Sequence, residues 1–311
     1  MGAQVMQQMK PPMVLEGIYE PLDRDIIGTG ADGTISLVRR VTDDRTLAAK
    51  CFRPRPTAVP EDEYYSSIRS EHWLSSRLQH PNIIQVFDLI EGTRSPCEIM
   101  EYFPMNLRQV LHTGTLSLGQ IDCIFYDMLL AVAYMHSMGY AHRDLKPGNI
   151  MIDKHGWAKL IDFGTASAIH DPLNGKAIRI HGVWGSSEYS APECHGESTF
   201  EGMPADIWSL AMVYIFAVTT EEPWTSATNR SSVFSRWVKW RTILKAHGSH
   251  VDAVAANSLG TELNFVSHLP KDSVELILRM TEEDPNLRPT WQGIFTTPWI
   301  RNLSRSCTVH D

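Results

Sequence analysis

Apolar and polar positions divide the chain into a first part with strand spacing and a second part with helical spacing. From Ile26 to Val38 the sequence is apolar, then rich in glycine, then β-branched and apolar again, which predicts two strands joined by a tight turn. Apolar residues recur at helical spacing from Ser117 to Met138 and stop at Gly139, which predicts one long helix. A strand-rich region therefore precedes a helical region.

Shorter sequence patterns predict further elements in both regions. Apolar runs at 83–90 and 97–103 predict two further strands, and the stretch before them has helical spacing until His80 and Pro81 stop it. In the helical region, residues 150–161 predict a short hairpin.

The composition excludes several classes of protein. The formal net charge of −8 lacks the basic excess of a general nucleic-acid-binding surface, so we expect no nucleic-acid partner. No run of about eighteen apolar residues and no basic-then-apolar leader is found, so we expect no membrane insertion. The five cysteines form no C-x-x-C pair, which indicates neither a zinc site nor a disulfide framework. A reducing compartment, cytoplasmic with access to the nucleus, fits this composition.

Residues His142–Asn149, which we call the central loop, carry the most specific chemistry of the chain. Their sequence HRDLKPGN contains a carboxylate, a lysine and a carboxamide at Asp144, Lys146 and Asn149. Such a set can address a hydroxyl, a phosphate group and a hard metal ion together. The simpler alternative is a polar β-turn centred on the Pro-Gly dipeptide of the loop.

A glycine-rich turn lies within the first pair of predicted strands. Gly28, Gly30 and Gly33 form a G-x-G-x-x-G frame, whose backbone N–H groups can approach the phosphates of a nucleotide. The same spacing occurs in dinucleotide-binding folds and in ordinary hairpins, but a dinucleotide fold needs a helix directly after the glycines. Here the sequence ISLVRRV continues as a strand, which argues against the dinucleotide fold.

Lys50 ends the run LAAK, where the next strand should end. A lysine there can grip the phosphates of a nucleotide, or it can be an ordinary solvated group. Glu71 lies on the predicted helix downstream and is the candidate partner that would orient Lys50. Glu63 competes with it, but it precedes the apolar periodicity, so the pattern favours Glu71.

The order of these motifs resembles that of the eukaryotic protein kinase family across residues 18–300. A DFG triplet at 162–164 follows the complete HRDLKPGN string, and an APE triplet at 191–193 and the sequence DIWSL at 206–210 follow in the same order. The resemblance implies that the segment between DFG and APE is an activation segment.

The resemblance also implies the architecture. The expected fold is α+β and bilobal, with a small β-rich N-lobe at 17–103 and a large, mainly α-helical C-lobe at 104–300. Residues 1–16 are then a loosely ordered lead-in and residues 301–311 a C-terminal tail.

Each motif position takes an implied role. The residues implied to be catalytic are Asp144, Lys146, Lys50 and Glu71. Those implied to bind Mg²⁺ are Asn149 and Asp162. Those implied to contact ATP are Ile27, Gly28, Gly30, Gly33, Ile35, Ala48, Lys50, Met100, Glu101, Phe103 and Met151. Structural or regulatory roles are implied for His142, Arg143, Phe163, Gly164, Ser186, Glu193, Asp206 and Arg288.

Within this set, several pairings are implied. Backbone groups of Glu101 and Phe103 would hydrogen-bond the adenine edge. Asp206 would anchor the central loop, and Arg288 would be the ion-pair partner of Glu193. Ser186 would contact Asp144 and Lys146 near the substrate.

The resemblance narrows further to fungal kinases. Lys146, two residues after Asp144, is the serine/threonine choice. The sequences GVWGSSEYSAPE and ADIWSLAMVYIFAVTTEEPW resemble the fungal halotolerance and nitrogen-permease-reactivator kinases, which act on nutrient and ion transport. The implied activity is an ATP- and Mg²⁺-dependent serine/threonine protein kinase in nutrient, ion-transport or stress signalling, acting as a monomer on protein substrates. Asn106 occupies the position of an arginine-reading acid, so strong selection for basic substrates is not indicated.

Three positions depart from the family pattern. Asp32 puts a carboxylate at the tip of the glycine turn, where it would repel phosphate at short range. Ser75 replaces an apolar residue that usually packs on the Phe of DFG. Arg143 commonly grips a phosphate in the activation segment, but residues 168–185 contain no Ser, Thr or Tyr. We therefore expect Asp171 or a different loop arrangement to satisfy Arg143.

Three classes of function can be separated. An active serine/threonine kinase is supported by the complete set Lys50, Glu71, Asp144, Asn149 and Asp162. A pseudokinase scaffold would require that Asp32 and Ser75 prevent ATP binding. A small-molecule phosphotransferase would share the ATP machinery but would lack a substrate platform of the Ser186 type. Residues 226–270 carry no motif, and irregular packing is favoured there over a docking insert.

Overall fold

The computed structural model describes residues 17–22, 26–30, 33–91, 95–153, 155–171, 174–182, 185–196, 198–247 and 265–307. The chain divides into two compact units between Pro104 and Met105, one residue after the predicted boundary. Asp32, the predicted lead-in at 1–16 and part of the predicted tail lie outside the described residues.

The first unit is built on a six-stranded antiparallel sheet with the order β1-β3-β4-β6-β5, and β2 pairs with β3. Its strands are β1 Tyr19–Pro21, β2 Gly28–Thr29, β3 Gly33–Arg40, β4 Thr46–Phe52, β5 Val86–Ile90 and β6 Cys97–Glu101. A single described helix, α1 (Glu61–Ser75), lies between β4 and β5 in the sequence of this unit.

Strand β4 gives the sheet one apolar face and one face with functional groups. Successive side chains of a strand point to opposite faces. The alternate residues Leu47, Ala49 and Cys51 belong to a buried apolar cluster. Lys50 therefore points to the other face, where its register partner on β6 is Glu98.

Helix α1 begins earlier than the apolar periodicity predicts. Glu61, Asp62 and Glu63 form its first turn, where carboxylates interact favourably with the positive end of the helix dipole. Glu63 therefore precedes the apolar periodicity but already lies inside the helix. A fully charged first turn carries no apolar stripe, so periodicity places the start of the helix too late.

The second unit is mainly helical. Its helices are α2 Leu107–His112, α3 Leu118–Ser137, α4 Gly202–Thr219, α5 Ser232–His247, α6 Phe265–His268, α7 Lys271–Met280, α8 Trp291–Phe295 and α9 Pro298–Ser306. Its short strands are β7 Met105–Asn106, β8 Tyr140–Ala141, β9 Ile150–Ile152, β10 Ala158–Leu160 and β11 Ser167–Ala168. The predicted hairpin is confirmed by the antiparallel pairing of β9 with β10, and β7 pairs with β9.

Helix α3 leads the chain toward the central loop. Ser117 and Gln120 form a capping box at its N-terminus, which satisfies two backbone N–H groups. Gly139 follows its C-terminus with φ +88°, a left-handed conformation that favours glycine. The predicted helix and its end are thus confirmed.

Helices α3 and α4 are long and apolar enough to cross a membrane by length and composition. Both helices contain carboxylates, among them Asp122 and Asp206, so neither is an unbroken apolar run. In the windows concerned, 56% of the α3 residues and 78% of the α4 residues are buried inside the protein. Burial in the core accounts for their apolar composition.

Four of the five cysteines form two disulfides, Cys51 with Cys97 and Cys123 with Cys307. The expectation that no disulfide framework exists is therefore wrong. The partners are 46 and 184 residues apart, so no local spacing reveals them. The first pair is formed because β4 and β6 lie in register at these positions. Cys194 is a free thiol, and burial raises its pKa to about 12.

The described part of residues 226–270 contributes to the core. Trp237 and Trp240, on α5, are buried, and their rings pack against each other at 5.1 Å between centroids. Trp237 also packs on Trp224 and Phe265. Residues 248–264 lie outside the described residues.

Candidate functional site

One buried carboxylate holds the start of the central loop. Asp206, on α4, is fully buried, and its two oxygens accept hydrogen bonds from the backbone N–H groups of His142 at 2.7 Å and Arg143 at 2.8 Å. His136, on α3, contacts the same carboxylate through Nε2 at 2.8 Å. Arg143 is held at φ +72°, a conformation that residues with a side chain rarely adopt. Helices α3 and α4 therefore fix an unusual backbone at this point.

Asp144 lies at the centre of a hydrogen-bonded cluster. Lys146 Nζ donates to its Oδ2 at 2.6 Å, and the backbone N–H and hydroxyl of Ser186 donate to its Oδ1 at 2.9 and 3.2 Å. Asn149 Nδ2 donates to the backbone oxygen of Asp144 at 2.9 Å. The structure thus brings together four predicted site residues, although Ser186 is 42 residues away in the sequence.

Asn149 and Asp162 are the residues predicted to bind Mg²⁺, and their chemistry fits that ion. Because Asn149 uses its amide nitrogen to donate to Asp144, its amide oxygen is the group left to bind a cation. Asp162 carries a carboxylate and adopts φ +69°. Among the described residues, no group of three or more His, Cys, Asp or Glu could hold a metal ion. An Mg²⁺ ion here would therefore complete its shell with phosphate and water oxygens, as this ion commonly does.

The predicted DFG triplet packs against the central loop. The ring of Phe163 is buried and lies edge-on to that of His142, with centroids 5.6 Å apart. His142 Nδ1 accepts from the backbone N–H of Asp144 at 3.2 Å, so its Nε2 carries the proton and donates to the carbonyl oxygen of Ile161 at 3.1 Å. Gly164 is exposed. The Nε2 bond therefore connects the chain before the triplet to the central loop, while the Nδ1 bond fixes the ring within the loop.

Glu193 and Arg288 form the predicted ion pair. Arg288 Nη1 and Nη2 donate to the two Glu193 oxygens at 2.5 and 2.8 Å, and Arg288 Nε donates to the carbonyl oxygen of Glu282 at 2.8 Å. The Arg288 side chain is 1% exposed. Bidentate, charge-assisted bonds of this kind are among the strongest in proteins.

The described part of the activation segment is held by backbone hydrogen bonds. Ile178 N donates to the carbonyl oxygen of Ile169 at 2.8 Å, which closes a hairpin. Ile180 and Phe200 exchange two backbone bonds of 2.8 and 3.0 Å. Strand β11 pairs with β8 at the start of the same segment. The segment is therefore paired at its start and near its middle.

The sequence predicts that Asp171 or a different loop arrangement satisfies Arg143. The Asp171 carboxylate accepts from Asn174 Nδ2 at 2.6 Å, which places it in the turn of the hairpin. Burial lowers the pKa of the Arg143 guanidinium, and the charge of Asp206 opposes that effect. The pairing of Arg143 with Asp171 stays a prediction.

In the first unit, Lys50 and Glu71 lie together. Lys50 Nζ donates to Glu71 Oε1 at 2.7 Å, and both side chains are largely buried. Glu63, the competing candidate, is exposed in the first turn of α1. The helix therefore presents Glu71, and not Glu63, to the lysine.

Two different reasons can require glycine in the glycine-rich turn: close packing of the strands and the predicted binding of phosphate. A Cβ added to Gly33 would lie 2.1 Å from the carbonyl oxygen of Cys51, so strand pairing alone demands glycine there. A Cβ on Gly30 would meet nothing within 4 Å, and one on Gly28 would meet Ile35 at an ordinary 3.6 Å. Phosphate binding by these glycines stays a prediction.

The residues predicted to contact adenine lie around β4 and β6. Ala48 is buried and is the register partner of Met100. The backbone N–H of Glu101 donates to the carbonyl oxygen of Gln85 at 2.9 Å. The backbone of Glu101 can therefore take part in a hydrogen bond with adenine only as an acceptor, through its carbonyl oxygen. Phe103 follows β6.

The remaining predicted contacts fall in both units. In the first unit, Ile27 is exposed and its backbone N–H donates to the carbonyl oxygen of Ile35 at 2.8 Å. In the second unit, Met151 lies on β9, with Lys159 and Asn106 as register partners.

Sequence reasoning missed a polar cluster on the same face of the sheet as Lys50. Glu98 is 3% exposed, and its Oε1 accepts from the Ser75 hydroxyl at 2.9 Å and contacts His72 Nδ1 at 3.0 Å. Nothing in the run CEIME distinguishes this glutamate from a solvated strand residue. Strand register with Lys50 was the one usable signal, because it places residue 98 on the same face.

A second missed cluster joins Arg108, Tyr189 and Glu222. Arg108 Nη2 donates to Glu222 at 2.6 Å and to the Tyr189 hydroxyl oxygen at 2.8 Å. Burial acts to raise the pKa of Glu222, but hydrogen bonds from Arg108 and Tyr189 outweigh it and lower that pKa. Burial raises the pKa of Tyr189. Glu222 is therefore an ionised, internally paired carboxylate.

Comparison with known proteins gives one family match over most of the chain. The family described as "Protein kinase domain" matches residues 22–300.

Several similar proteins are fungal. Serine/threonine-protein kinase hal4 of Schizosaccharomyces pombe is 33% identical over 290 residues, which cover 90% of this chain and 43% of the relative. Serine/threonine-protein kinase ppk8 of the same organism is 32% identical over 285 residues, covering 91% and 52%. The nitrogen permease reactivator protein of Saccharomyces cerevisiae is 28% identical over 310 residues, covering 92% and 39%. This chain thus spans about half or less of the length of these relatives.

Proposed function

This chain belongs to the protein kinase family, and we propose that it is a serine/threonine protein kinase that transfers the γ-phosphate of ATP to hydroxyl groups of proteins. The observation that carries the proposal is the cluster in which Lys146, Asn149 and Ser186 surround Asp144. Two relatives described as serine/threonine-protein kinases support the class of acceptor.

In this proposal Asp144 orients the acceptor hydroxyl and accepts a hydrogen bond from it. The two bonds from Ser186 fix the rotation of the carboxylate, so that its position does not depend on substrate. Lys146 places a positive charge next to Asp144, where it can stabilise the negative charge of the transferring group. Removal of the Asp144 carboxylate would therefore eliminate orientation and leave the lysine without its partner.

Phosphate binding is assigned to further side chains. Lys50 would contact the nucleotide phosphates, and its 2.7 Å bond to Glu71 restricts where its ammonium group can lie. Asn149 and Asp162 would hold Mg²⁺. When bound, Mg²⁺ would neutralise charge on the β- and γ-phosphates.

Activation, in our proposal, needs no phosphate in the middle of the activation segment. Residues 168–185 offer no Ser, Thr or Tyr as an acceptor, and backbone pairing of Ile169 with Ile178 and of Ile180 with Phe200 supports an ordered segment. Phosphatase-treated protein, checked by mass spectrometry, should retain its activity within about twofold. A large loss that maps to Ser186 or Ser187 would overturn this part.

The cellular setting is proposed from similarity. Likeness to the nitrogen permease reactivator protein supports a role in nutrient, ion-transport or stress signalling. We propose a monomer in the cytoplasm, with access to the nucleus, that neither binds nucleic acid nor inserts into membranes; the net charge of −8 supports the absence of nucleic-acid binding. The two disulfides of the structure stand against this location, because a reducing compartment would convert them to thiols. Thiol labelling in freshly lysed cells tests the location.

The decisive experiment offers the purified chain Mg²⁺ and labelled ATP with two kinds of acceptor. One is a degenerate peptide library with Ser, Thr or Tyr as the acceptor, and the other is a panel of small alcohols and amines. We expect label on Ser and Thr peptides, and a loss of at least about a thousandfold in the variant Asp144→Ala with its thermal unfolding unchanged. Near-wild-type turnover by Asp144→Ala would contradict the assignment.

The same experiment separates the other classes of function. Label on small acceptors alone would indicate a small-molecule phosphotransferase. Thermal stability that does not respond to Mg²⁺ and ATP, together with no labelled product, would indicate a scaffold that binds no nucleotide.

A further inference from the structure

A buried carboxylate links the helix that carries Glu71 to the strand that pairs with Lys50. Glu98, on β6, is 3% exposed and is the register partner of Lys50 on β4. Partners directly opposite in antiparallel strands place their side chains on one face, with Cβ atoms about 5 Å apart. Glu98 therefore belongs to the face of the sheet on which Lys50 meets Glu71.

Both hydrogen-bond partners of Glu98 among the described residues lie on α1. The Ser75 hydroxyl lies 2.9 Å from Glu98 Oε1 and 3.1 Å from the carbonyl oxygen of His72, and its single proton favours the carboxylate, which is the nearer and stronger acceptor. His72 Nδ1 lies 3.0 Å from the same carboxylate oxygen. An ionised carboxylate only accepts hydrogen bonds, so Nδ1 of His72 must carry a proton and donate. His72 and Ser75 follow Glu71 by one and four residues, which places all three within about one turn of the helix.

The sheet and α1 therefore each supply a donor side and an acceptor side to these contacts. Lys50 on the sheet donates to Glu71 on the helix, whereas His72 and Ser75 on the helix donate to Glu98 on the sheet. Burial of a carboxylate costs free energy unless hydrogen-bond donors satisfy it. The donors on α1 reach Glu98 only when the helix has a particular rotation about its axis and a particular position along it. The same rotation and position bring Glu71 to Lys50.

We propose that Glu98, through His72 and Ser75, is a positioning residue that sets the alignment of α1 and thereby holds Glu71 against Lys50. An apolar pair at positions 75 and 98 would fill the same space but would not fix the rotation of the helix, because apolar contacts are not directional. The role rests on the proposed kinase activity for its effect on phosphate transfer, but not for its effect on the helix.

The test compares two substitutions that each change one carboxylate on the sheet side of α1. Glu98→Gln keeps the shape of the buried side chain and removes its charge. Glu91→Gln is the matched control, since Glu91 pairs with Arg69 of the same helix at 2.8 Å, but on an exposed surface. Amide hydrogen exchange of residues 68–75 measures the alignment of α1 without any need for catalysis. We expect at least about tenfold faster exchange in Glu98→Gln and less than twofold change in the control.

Steady-state kinetics with ATP then shows whether the alignment acts through Lys50. We expect kcat/KM for ATP to fall about tenfold in Glu98→Gln. In a Glu71→Gln background, Glu98→Gln should lower kcat/KM for ATP less than twofold, because the ion pair between Lys50 and Glu71 is already absent. A tenfold loss in both backgrounds, or unchanged exchange in α1, would overturn the proposal.

Two further outcomes keep the experiment decisive. If Glu98→Gln does not fold, Ser75→Ala can replace it, because it removes a single donor to Glu98. It should also speed amide exchange in α1 and lower kcat/KM for ATP, but by smaller factors. If the wild-type chain transfers no phosphate, the proposed kinase activity fails, whereas the exchange of α1 in Glu98→Gln still decides whether Glu98 positions the helix.

Discussion

Each unit of the molecule contains one buried carboxylate that organises functional residues, and the two work in different ways. Asp206, in the second unit, accepts from two backbone N–H groups and from His136, whose side chain is 1% exposed. In the part of the first unit that the structure describes, Glu98 accepts from two side chains, Ser75 and His72, and the His72 side chain is 22% exposed. One carboxylate therefore fixes a backbone, and the other fixes a helix through two rotatable groups.

The difference predicts different mechanical behaviour. Backbone donors have no rotamers to exchange, so the loop held by Asp206 has one arrangement as long as α4 is folded. Side-chain donors can be exchanged for water, and such partly exposed contacts open at lower cost than the global unfolding of a core. We therefore expect the central loop to keep one conformation and the orientation of α1 to vary.

The largest effect is expected from Asp206→Ala. The change leaves three donors, two of them backbone N–H groups, in a buried place, and each buried donor without a partner costs about 1–3 kcal/mol. Urea denaturation should show a loss of several kcal/mol, and activity should be lost with it. Asp122→Ala is the matched control, because Asp122 on α3 accepts from a single hydroxyl, that of Tyr214, at 2.8 Å. The control should lose only about 1 kcal/mol. Equal losses in the two variants would contradict the special role of Asp206.

The two carboxylates also differ in how far the sequence could predict them. Asp206 lies in a motif whose spacing from HRD and DFG is specific, so its contact with the central loop could be predicted, as could the pairs Lys50–Glu71 and Glu193–Arg288. The family resemblance and the α+β bilobal protein-kinase fold are likewise confirmed. These predictions succeed because the motif residues carry their own chemistry.

Glu98 could not be predicted, because its importance arises from register and helix phase and not from its neighbours in the sequence. The same reason hides the disulfides, whose partners meet only once β4 pairs with β6 and α3 packs near the C-terminal end of α9. The start of α1 was also misplaced, because its first turn is stabilised by the helix dipole and carries no apolar stripe. Long-range geometry, and not local pattern, decides all three.

A smaller effect is expected from Gly33→Ala, which tests the sheet on which Glu98 and Lys50 are mounted. The added Cβ would lie 2.1 Å from the carbonyl oxygen of Cys51, and overpacking of this kind costs about 1–3 kcal/mol. Gly30→Ala is the matched control, since a Cβ there meets nothing within 4 Å. Thermal unfolding should separate the two variants by several degrees. If both lose affinity for ATP but neither loses stability, the glycines serve phosphate binding alone.

The smallest effect is expected from Glu222, a partly exposed carboxylate in the connection between α4 and α5. Glu222 accepts from Arg108 at 2.6 Å, with side chains 30% and 39% exposed, and exposed pairs contribute less than about 1 kcal/mol. Its pKa is lowered in the folded chain, where burial acts to raise it but the bonds from Arg108 and Tyr189 prevail. A carboxylate with a lowered pKa stabilises the fold above its ordinary pKa near 4.5, and this contribution disappears as the pH falls through the folded value.

Thermal unfolding of wild type and Glu222→Gln between pH 7 and pH 3 measures this contribution. We expect the wild type to be slightly more stable at pH 7 and the difference to vanish at the acidic end, because Glu222 is protonated there and no longer an ion-pair partner. Glu221→Gln, at the neighbouring position, is the control for the removal of one charge from the same surface. If the stability difference between wild type and Glu222→Gln grew toward acid pH, the fold would stabilise Glu222 as the neutral acid. That result would contradict the expectation that the least buried of these carboxylates contributes least.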